Sequence, residues 1–250
     1  IDMKVGDYVT RKKYNHDIIF RIIKIEDNKV FLHGEMFRLI ADTSIDDLEP
    51  YSSPVDEKEI KVLIDQDNSM IKGKILHVDG DKTYLEKCMN FYKEYTTPVV
   101  GCHLQEDKMK ENIIPLLKKH QPDILIITGH DSFSFKRENE HEGYKNSHHF
   151  IETVKQARLY QPNKDALIII AGACQSNYEG LIKSGANFAS SPTKINIHAL
   201  DPACIAVSIA NTHVNQYVEV EKVLKDTVSK GKGMGGIDSK GVARKIYSTK

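Results

Sequence analysis

The chain reads as an α/β protein: a parallel-sheet domain with helices on both faces, preceded by a small SH3-like β-barrel. Three observations lead there. Residues 4–50 hold short runs rich in Val, Ile, Phe and Tyr (KVGDYVTRK, DIIFRIIKIE, KVFLHGE, MFRLIAD), separated by turn signals such as Asp27-Asn28 and His33-Gly34. From residue 73 the period changes, and strand-like runs alternate with helical patterns. Two of those runs, DILIITGH and DALIIIAGAC, are apolar nearly throughout, as central strands covered on both sides are.

The elements follow in order. The barrel spans residues 3–51, with Gly6-Asp7 suited to its tight entry turn and IDDLEPY closing it. A linker is expected over 52–72, where Pro54 and a charge cluster interrupt any pattern, although KVLI within it could pair with a neighbour. The α/β domain is expected over 73–230. GKILHVDGD is a strand ending at Asp79. KTYLEKCMNFYKEY carries an apolar helical stripe of Tyr84, Leu85, Cys88, Met89, Phe91 and Tyr92. TPVVGCHL is the second strand, and KMKENIIPLLKKH a helix bent or started late by Pro115. After PDILIITGH comes the helix NSHHFIETVKQARLY, with Asn146 or Ser147 as its cap. After DALIIIAGAC a short helix over 175–184 stops at Gly185. ANFASSP, KINIHAL, a helix over DPACIAVSIAN and a helix near VEVEKVLKDTV complete the domain. The Gly- and Lys-rich segment 231–250 reads as a mobile tail.

Bulk composition narrows the function. The 250 residues carry 35 basic and 35 acidic groups, so no net charge draws the chain toward nucleic acid or an anionic membrane. Arg11, Lys12, Lys13, Arg21 and Lys24 still cluster in the barrel, which leaves it a route to nucleic acid or protein. No apolar run is long enough for a transmembrane helix, and the start has no signal core, so synthesis in a cytoplasm is expected. Cys88, Cys102, Cys174 and Cys204 are scattered with no C-x-x-C, which argues for thiols and against a zinc ribbon. Burial is expected for Cys88, Cys102 and Cys204.

The chemistry gathers at strand ends. Asp79, His130 and Cys174 each stand at or just past the carboxyl end of a strand, where open α/β sheets place their function. A free thiol is only slightly ionised at neutral pH. A neighbouring imidazole can take its proton and later return it to a leaving amine. Alone, a histidine after a strand or a cysteine before a helix is more often a packing residue. The pair at matching ends of consecutive strands is what raises the catalytic reading. Gly129 and Gly172 permit tight reversal there, and Cys174 is expected to open the next helix, whose dipole favours a thiolate.

A strand ending in TGH followed by one ending in AC resembles the caspase-like, clan CD cysteine peptidases, with the base after the third strand and the nucleophile after the fourth. Asp131 departs from that pattern, since a glycine usually follows the histidine and lends its amide to the oxyanion site. A second resemblance covers nearly the whole chain. KVGDYVTRK, RLIADTSIDDLE, ILHVDGD, YLEKCMNFYKEY, DILIITGHD, YKNSHHFIETVKQAR, AGACQSNYEGLIKSGANFASSP and IHALDP are similar to the YabG family of sporulation peptidases. That resemblance implies a cysteine endopeptidase with Cys174 as nucleophile and His130 as base. It implies limited proteolysis of spore coat and germination proteins, cleavage after arginine, and residence in the mother cell and then the coat. Backbone amides of Gly129, Asp131 and Cys174 are the candidate oxyanion donors. A P1 arginine needs a carboxylate. Asp79, Asp81 and Asp201 are the candidates, although Asp81 and Asp201 could equally cap helices.

The remaining motifs have blander readings. Gln175 and Ser176 could line the oxyanion site or open a helix; His198 reads as structural; His148-His149 do not make a metal site, and a zinc held by His130, Cys174 and His198 lacks supporting spacing. No metal or other cofactor is expected. Ser190-Ser191 lack a G-x-S-x-G frame, and GKGMGG near 231–236 does not follow a strand as a phosphate loop would. The polar loop 131–145 lies beside His130, where loops shape substrate grooves. Its Lys136 and Arg137, like the lysines after Lys230, offer sites for self-cleavage. The competing reading is a non-enzymatic coat scaffold that binds protein or nucleic acid through its barrel.

Overall fold

The computed structural model describes residues 3–52, 61, 62, 64, 69–134 and 143–248. The chain divides into two compact units, Ile1–Ile60 and Lys61–Lys250. Lys136, Arg137 and the charge cluster after Ser53 lie outside the described residues.

The first unit is a five-stranded antiparallel sheet. Its strands are β1 (Tyr8–Arg11), β2 (Phe20–Glu26), β3 (Lys29–Gly34), β4 (Ile40–Ser44) and β5 (Leu48–Pro50), in the order β4-β3-β2-β1-β5. Alternation does the work: Val30 and Leu32 of β3 meet Phe20 and Ile22 of β2, with Val9, Ile18 and Leu48 completing the core. The β2–β3 hairpin turns on Asp27-Asn28, Asp27 adopting φ 51° as primed turns require. A register shift between Ile22 and Lys24 throws Ile23 outward.

The second unit is built on a six-stranded sheet. β7 (Ile75–Asp79), β8 (Val99–His103), β9 (Ile124–Thr128), β10 (Ile168–Ala171), β11 (Phe188–Ser190) and β12 (Met234–Gly236) stand in the order β12-β11-β10-β9-β7-β8. All neighbours are parallel except β11 and β12. A short pair, β6 (Met70–Ile71) with β13 (Arg244–Lys245), lies apart from it. β7, β9 and β10 are buried along their whole length, as their apolar runs require.

Residue parity divides the two faces. Leu76, Val78, Leu125, Ile127, Ile169 and Ala171 pack against α2 (Glu106–His120), α3 (Ser147–Tyr160) and α4 (Tyr178–Ser184). The opposite parity faces α1 (Lys82–Glu94) and α5 (Asp201–Asn211), which touch each other and the sheet. α6 (Val220–Lys225) follows. α5 is apolar around its circumference and buried from Asp201 to Ala210, which is why it carries no amphipathic stripe. α2 runs through Pro115. α4 ends in Gly185, whose φ of 115° forms the left-handed cap expected there. Among the described residues no helix is long and apolar enough to cross a membrane.

Four expectations are corrected. The second half of the 52–72 segment belongs to the larger unit: the Val62 amide donates to Tyr95 Oη at 2.7 Å, and β6 pairs with β13. The segment from 231 is no loose tail, because β12 forms the sheet edge beside β11. Its glycines answer to packing, since a Cβ at Gly236 would occupy the Phe188 ring and one at Gly235 the Tyr178 ring. KINIHAL alternates like a strand yet folds as coil and turn, with a single bridge residue at His198. The helix after β10 starts at Tyr178 with Asn177 as its cap, so Cys174 precedes it and does not open it.

Candidate active site at the carboxyl edge of the sheet

The strand registers build the site. Asp79 of β7 pairs with Thr128 of β9, and Ile126 and Ile127 of β9 with Ile170 and Ala171 of β10. Thr128 Oγ1 donates to the Gly172 carbonyl at 2.8 Å, holding the two strand ends together. Two residues further along each chain come Asp81, His130 and Cys174. All three have the parity of the face that carries α1 and α5.

Asp81 does two jobs. Its Oδ1 accepts from the Tyr84 amide at 2.9 Å and caps α1. Its Oδ2 lies 2.6 Å from His130 Nε2, a charge-assisted distance. The helix N-terminus favours the anion, and the anion fixes the imidazole. Tyr84 adds a wall, its ring 5.6 Å from the His130 ring. The sequence offered Asp81 as a cap or as a pocket acid; the histidine partnership was legible only in its matching offset past a strand end.

The backbone around His130 is held as firmly. Its amide donates to Glu106 Oε1 at 2.8 Å, and its carbonyl accepts from Asn146 Nδ2 at 2.7 Å. Glu106, in the first turn of α2, lies across Gly80 and Gly129, where a Cβ at either position would collide with its carboxylate. Close approach of that carboxylate, beyond any turn, requires the two glycines. Neither Glu106 nor Asn146 stood out as part of the site in the sequence, because an acid in a helix's first turn is ordinary.

Asp79 is not an accessible pocket acid. It is fully buried, its Oδ1 accepting from the Asp81 amide at 2.9 Å and its Oδ2 lying 3.2 Å from His77 Nε2. His77 Nδ1 continues the chain to Tyr92 Oη at 2.8 Å. A substrate guanidinium would have to displace this buried group to reach it, so Asp79 supports the floor of the site. Asp201 is also enclosed. Its carboxylate accepts from the Ser229 hydroxyl and amide and from the His198 amide, tying the start of α5 to the 226–233 turns, and burial pushes its pKa up.

Cys174 has no exposed surface. Its Sγ accepts from the Ile197 amide at 3.2 Å and lies 3.7 Å from the Ile197 carbonyl. The neighbouring Gln175, at φ 56°, donates its amide to the Ile195 carbonyl at 3.0 Å. The irregular backbone of KINIHAL thus lies over the sulfur. The other thiols differ: burial pushes Cys102 and, far more, Cys204 upward, while Cys88 Sγ donates to the Ala199 carbonyl. Cys102 is half-buried, not enclosed as expected. The Ser190 hydroxyl donates to the Ala173 carbonyl and that of Ser191 to the Ile195 carbonyl, so both serve the fold. A Phe133–Tyr144 bridge closes the base of the 131–145 loop, with the Lys194 amine 4.1 Å from the Phe133 ring centre.

The fold and site together define an α/β protein whose acid, imidazole and thiol-bearing turns meet at the carboxyl edge of a parallel sheet, where such proteins bind and transform ligands. The sequence matches the family described as YabG peptidase U57 over residues 4–71 and 54–248, and the chain belongs to that family. It is 41% identical over 284 aligned positions to the sporulation-specific protease YabG of Bacillus subtilis (strain 168), covering 98% of this chain and 97% of that relative.

Proposed function

We propose that the chain is a cysteine endopeptidase acting in sporulation, with Cys174 as nucleophile, His130 as acid and base, and Asp81 orienting the imidazole. One observation carries the reading: Asp81 and His130, two residues past the ends of β7 and β9, and Cys174, three past the end of β10, fall on one register level, with Asp81 Oδ2 already 2.6 Å from His130 Nε2. With Nε2 committed to Asp81, Nδ1 is the nitrogen that exchanges a proton with sulfur. The thiolate adds to the scissile carbonyl. Collapse of the tetrahedral adduct breaks the C–N bond, His130 hands its proton to the departing amine, and a thioester remains. His130 then takes a proton from water, whose oxygen displaces the thiolate.

The amides of Gly129, Asp131 and Cys174 are the proposed oxyanion donors. Those of His130 and Gln175 are spent on Glu106 and Ile195. Substrate entry has to move Ile195–Ile197 off the sulfur, since Cys174 is covered. Limited cleavage of spore coat and germination proteins, a preference for P1 arginine, and a passage from mother cell to coat belong to the same reading, as do the caspase-like character of the larger unit and the SH3-like character of the smaller. The family likeness supports the protease role in sporulation on which they rest. The enclosure of Asp79 and Asp201 argues against either as the carboxylate of the arginine pocket.

A peptide-library cleavage profile of the wild-type chain beside Cys174→Ala tests the reading. The expected result is cleavage after arginine by the wild type and none by the variant. Alkylation by an arginyl chloromethyl ketone should mark Cys174 and spare Cys88, Cys102 and Cys204. Cleavage persisting in Cys174→Ala removes the nucleophile and with it the catalytic reading.

A further inference from the structure

Asp131 was singled out for its backbone amide, yet its side chain is the more unusual feature. The residue is 5% exposed, and burial raises its pKa against the pull of four hydrogen bonds. Its Oδ1 accepts from the Ser132 amide at 2.9 Å and the Asn146 amide at 2.7 Å. Its Oδ2 accepts from Ser176 Oγ at 2.8 Å and from Ser147 Oγ. Both hydroxyls then accept from backbone: Ser176 Oγ from the Ala173 amide at 2.9 Å, Ser147 Oγ from the Asn177 amide at 2.8 Å. Ala173 and Asn177 bracket the turn that carries Cys174. Asn146 closes the circuit, since its side chain donates to the His130 carbonyl.

One carboxylate, adjacent in sequence to His130, thus reaches both flanks of the Cys174 turn through a single hydroxyl on each side. Among the described residues its hydrogen bonds come from amides and hydroxyls, no Lys or Arg forms an ion pair with it, and His149 meets it through a coulombic interaction alone. A buried anion without a cation is a costly way to join two loops if packing alone were needed. It is well suited to fixing two loops at defined separation, because four donors converge on it from different elements.

We propose that Asp131 is a positioning residue: its buried carboxylate locks the His130 turn to the Cys174 turn, so that imidazole and sulfur stay in one row during turnover. This rests on the catalytic reading of those two residues. A displacement on the order of 1 Å at a reacting centre costs about 100-fold in rate, which sets the expected effect.

The test compares Asp131→Ala, Asp131→Asn and Ser176→Ala in the full chain. Asp131→Ala should lower kcat about 100-fold with little change in KM. It should also move the pH profile of Cys174 inactivation by a peptidyl chloromethyl ketone toward that of an ordinary thiol. Asp131→Asn should recover about tenfold of the loss, because its oxygen still accepts from Ser132 and Asn146 while its NH2 meets the two hydroxyls. Ser176→Ala breaks one arm only; it should lower kcat about tenfold and keeps the test decisive if Asp131→Ala fails to fold. A melting temperature that falls while kcat and the pH profile stay at wild-type values, in Asp131→Ala or Ser176→Ala, overturns the proposal. Cleavage surviving in Cys174→Ala run alongside would instead sink the catalytic reading itself.

Discussion

At the scale of single residues, Asp81 shows how one carboxylate can serve fold and chemistry with separate oxygens. Oδ1 belongs to the helix and Oδ2 to the imidazole. Substitution can therefore separate the two roles. Asp81→Asn keeps a good capping side chain, so unfolding free energy should hold to within about 1 kcal/mol. The imidazole, however, faces an amide in place of an anion, and kcat should fall about 100-fold, with the loss largest where His130 must carry charge. Asp81→Ala adds the lost cap, about 1 kcal/mol, to a similar kinetic loss. Urea unfolding and steady-state kinetics on both variants check this; equal kcat in wild type and Asp81→Asn would remove Asp81 from the mechanism. In the sequence this pairing shows only as a matching offset past two strand ends. HVDGDKT fits a capped helix fully, and only the register of β7 against β9 brings position 81 beside position 130.

At the scale of elements, the patterns that were readable were those with a period. The full burial of β7, β9 and β10 and the stripes of α1 and α3 follow from their spacing. What failed were short pieces whose residues answer to something other than periodicity. KINIHAL alternates, yet it is the backbone of Ile197 that meets the sulfur, and β12 is three residues long and two of them glycine, which no strand pattern marks. Polar residues were also undervalued as joints between elements. Arg158 on α3 donates to the carbonyls of Gly185, Gln161 and Leu167 and to Asn187 Oδ1, with burial drawing its pKa down to about 10. Asp201 at the start of α5 is a joint of the same kind, and it has a pH signature. Burial raises its pKa above 3.8 in the folded state. Below that value the group is protonated in both states and adds no slope. As pH rises the unfolded chain ionises first, while the native site resists, so the contribution of this group to stability falls until its folded pKa is passed. The stability of the wild type relative to Asp201→Asn should therefore decline from about pH 4 upward. Urea titrations at several pH values measure it, and a difference that grows with pH would show that hydrogen bonds to the anion outweigh its burial.

At the scale of the molecule, the last segment of the chain is what closes the larger unit. It pairs β12 with β11 and β13 with β6, and it bridges His213 to Ala243 and Tyr217 to Lys240. Three stretches distant in sequence, near residues 70, 189 and 215, are thereby held by one strand-forming run. Met234, Ser239, Val242 and Ala243 are buried in the process, and the Ser239 hydroxyl accepts from the buried Asn187 side chain at 3.0 Å. Burying one methionine, one valine and one alanine contributes roughly 4–5 kcal/mol, a large share of the 5–15 kcal/mol by which domains are usually stable. Cutting there, at the lysines after Lys230, would also leave Phe188 without its covering glycines and expose the unpaired edge of β11, a template for association between chains. A chain ended at Lys230 should accordingly lose its cooperative unfolding transition and aggregate. A chain ended at Tyr247, which keeps every pairing named above, should melt within a few degrees of the full-length protein. Differential scanning calorimetry with light scattering distinguishes the two. A truncation at Lys230 that melts like the intact chain would return the segment to the status of a loose tail and reopen it as a site of self-cleavage without structural consequence.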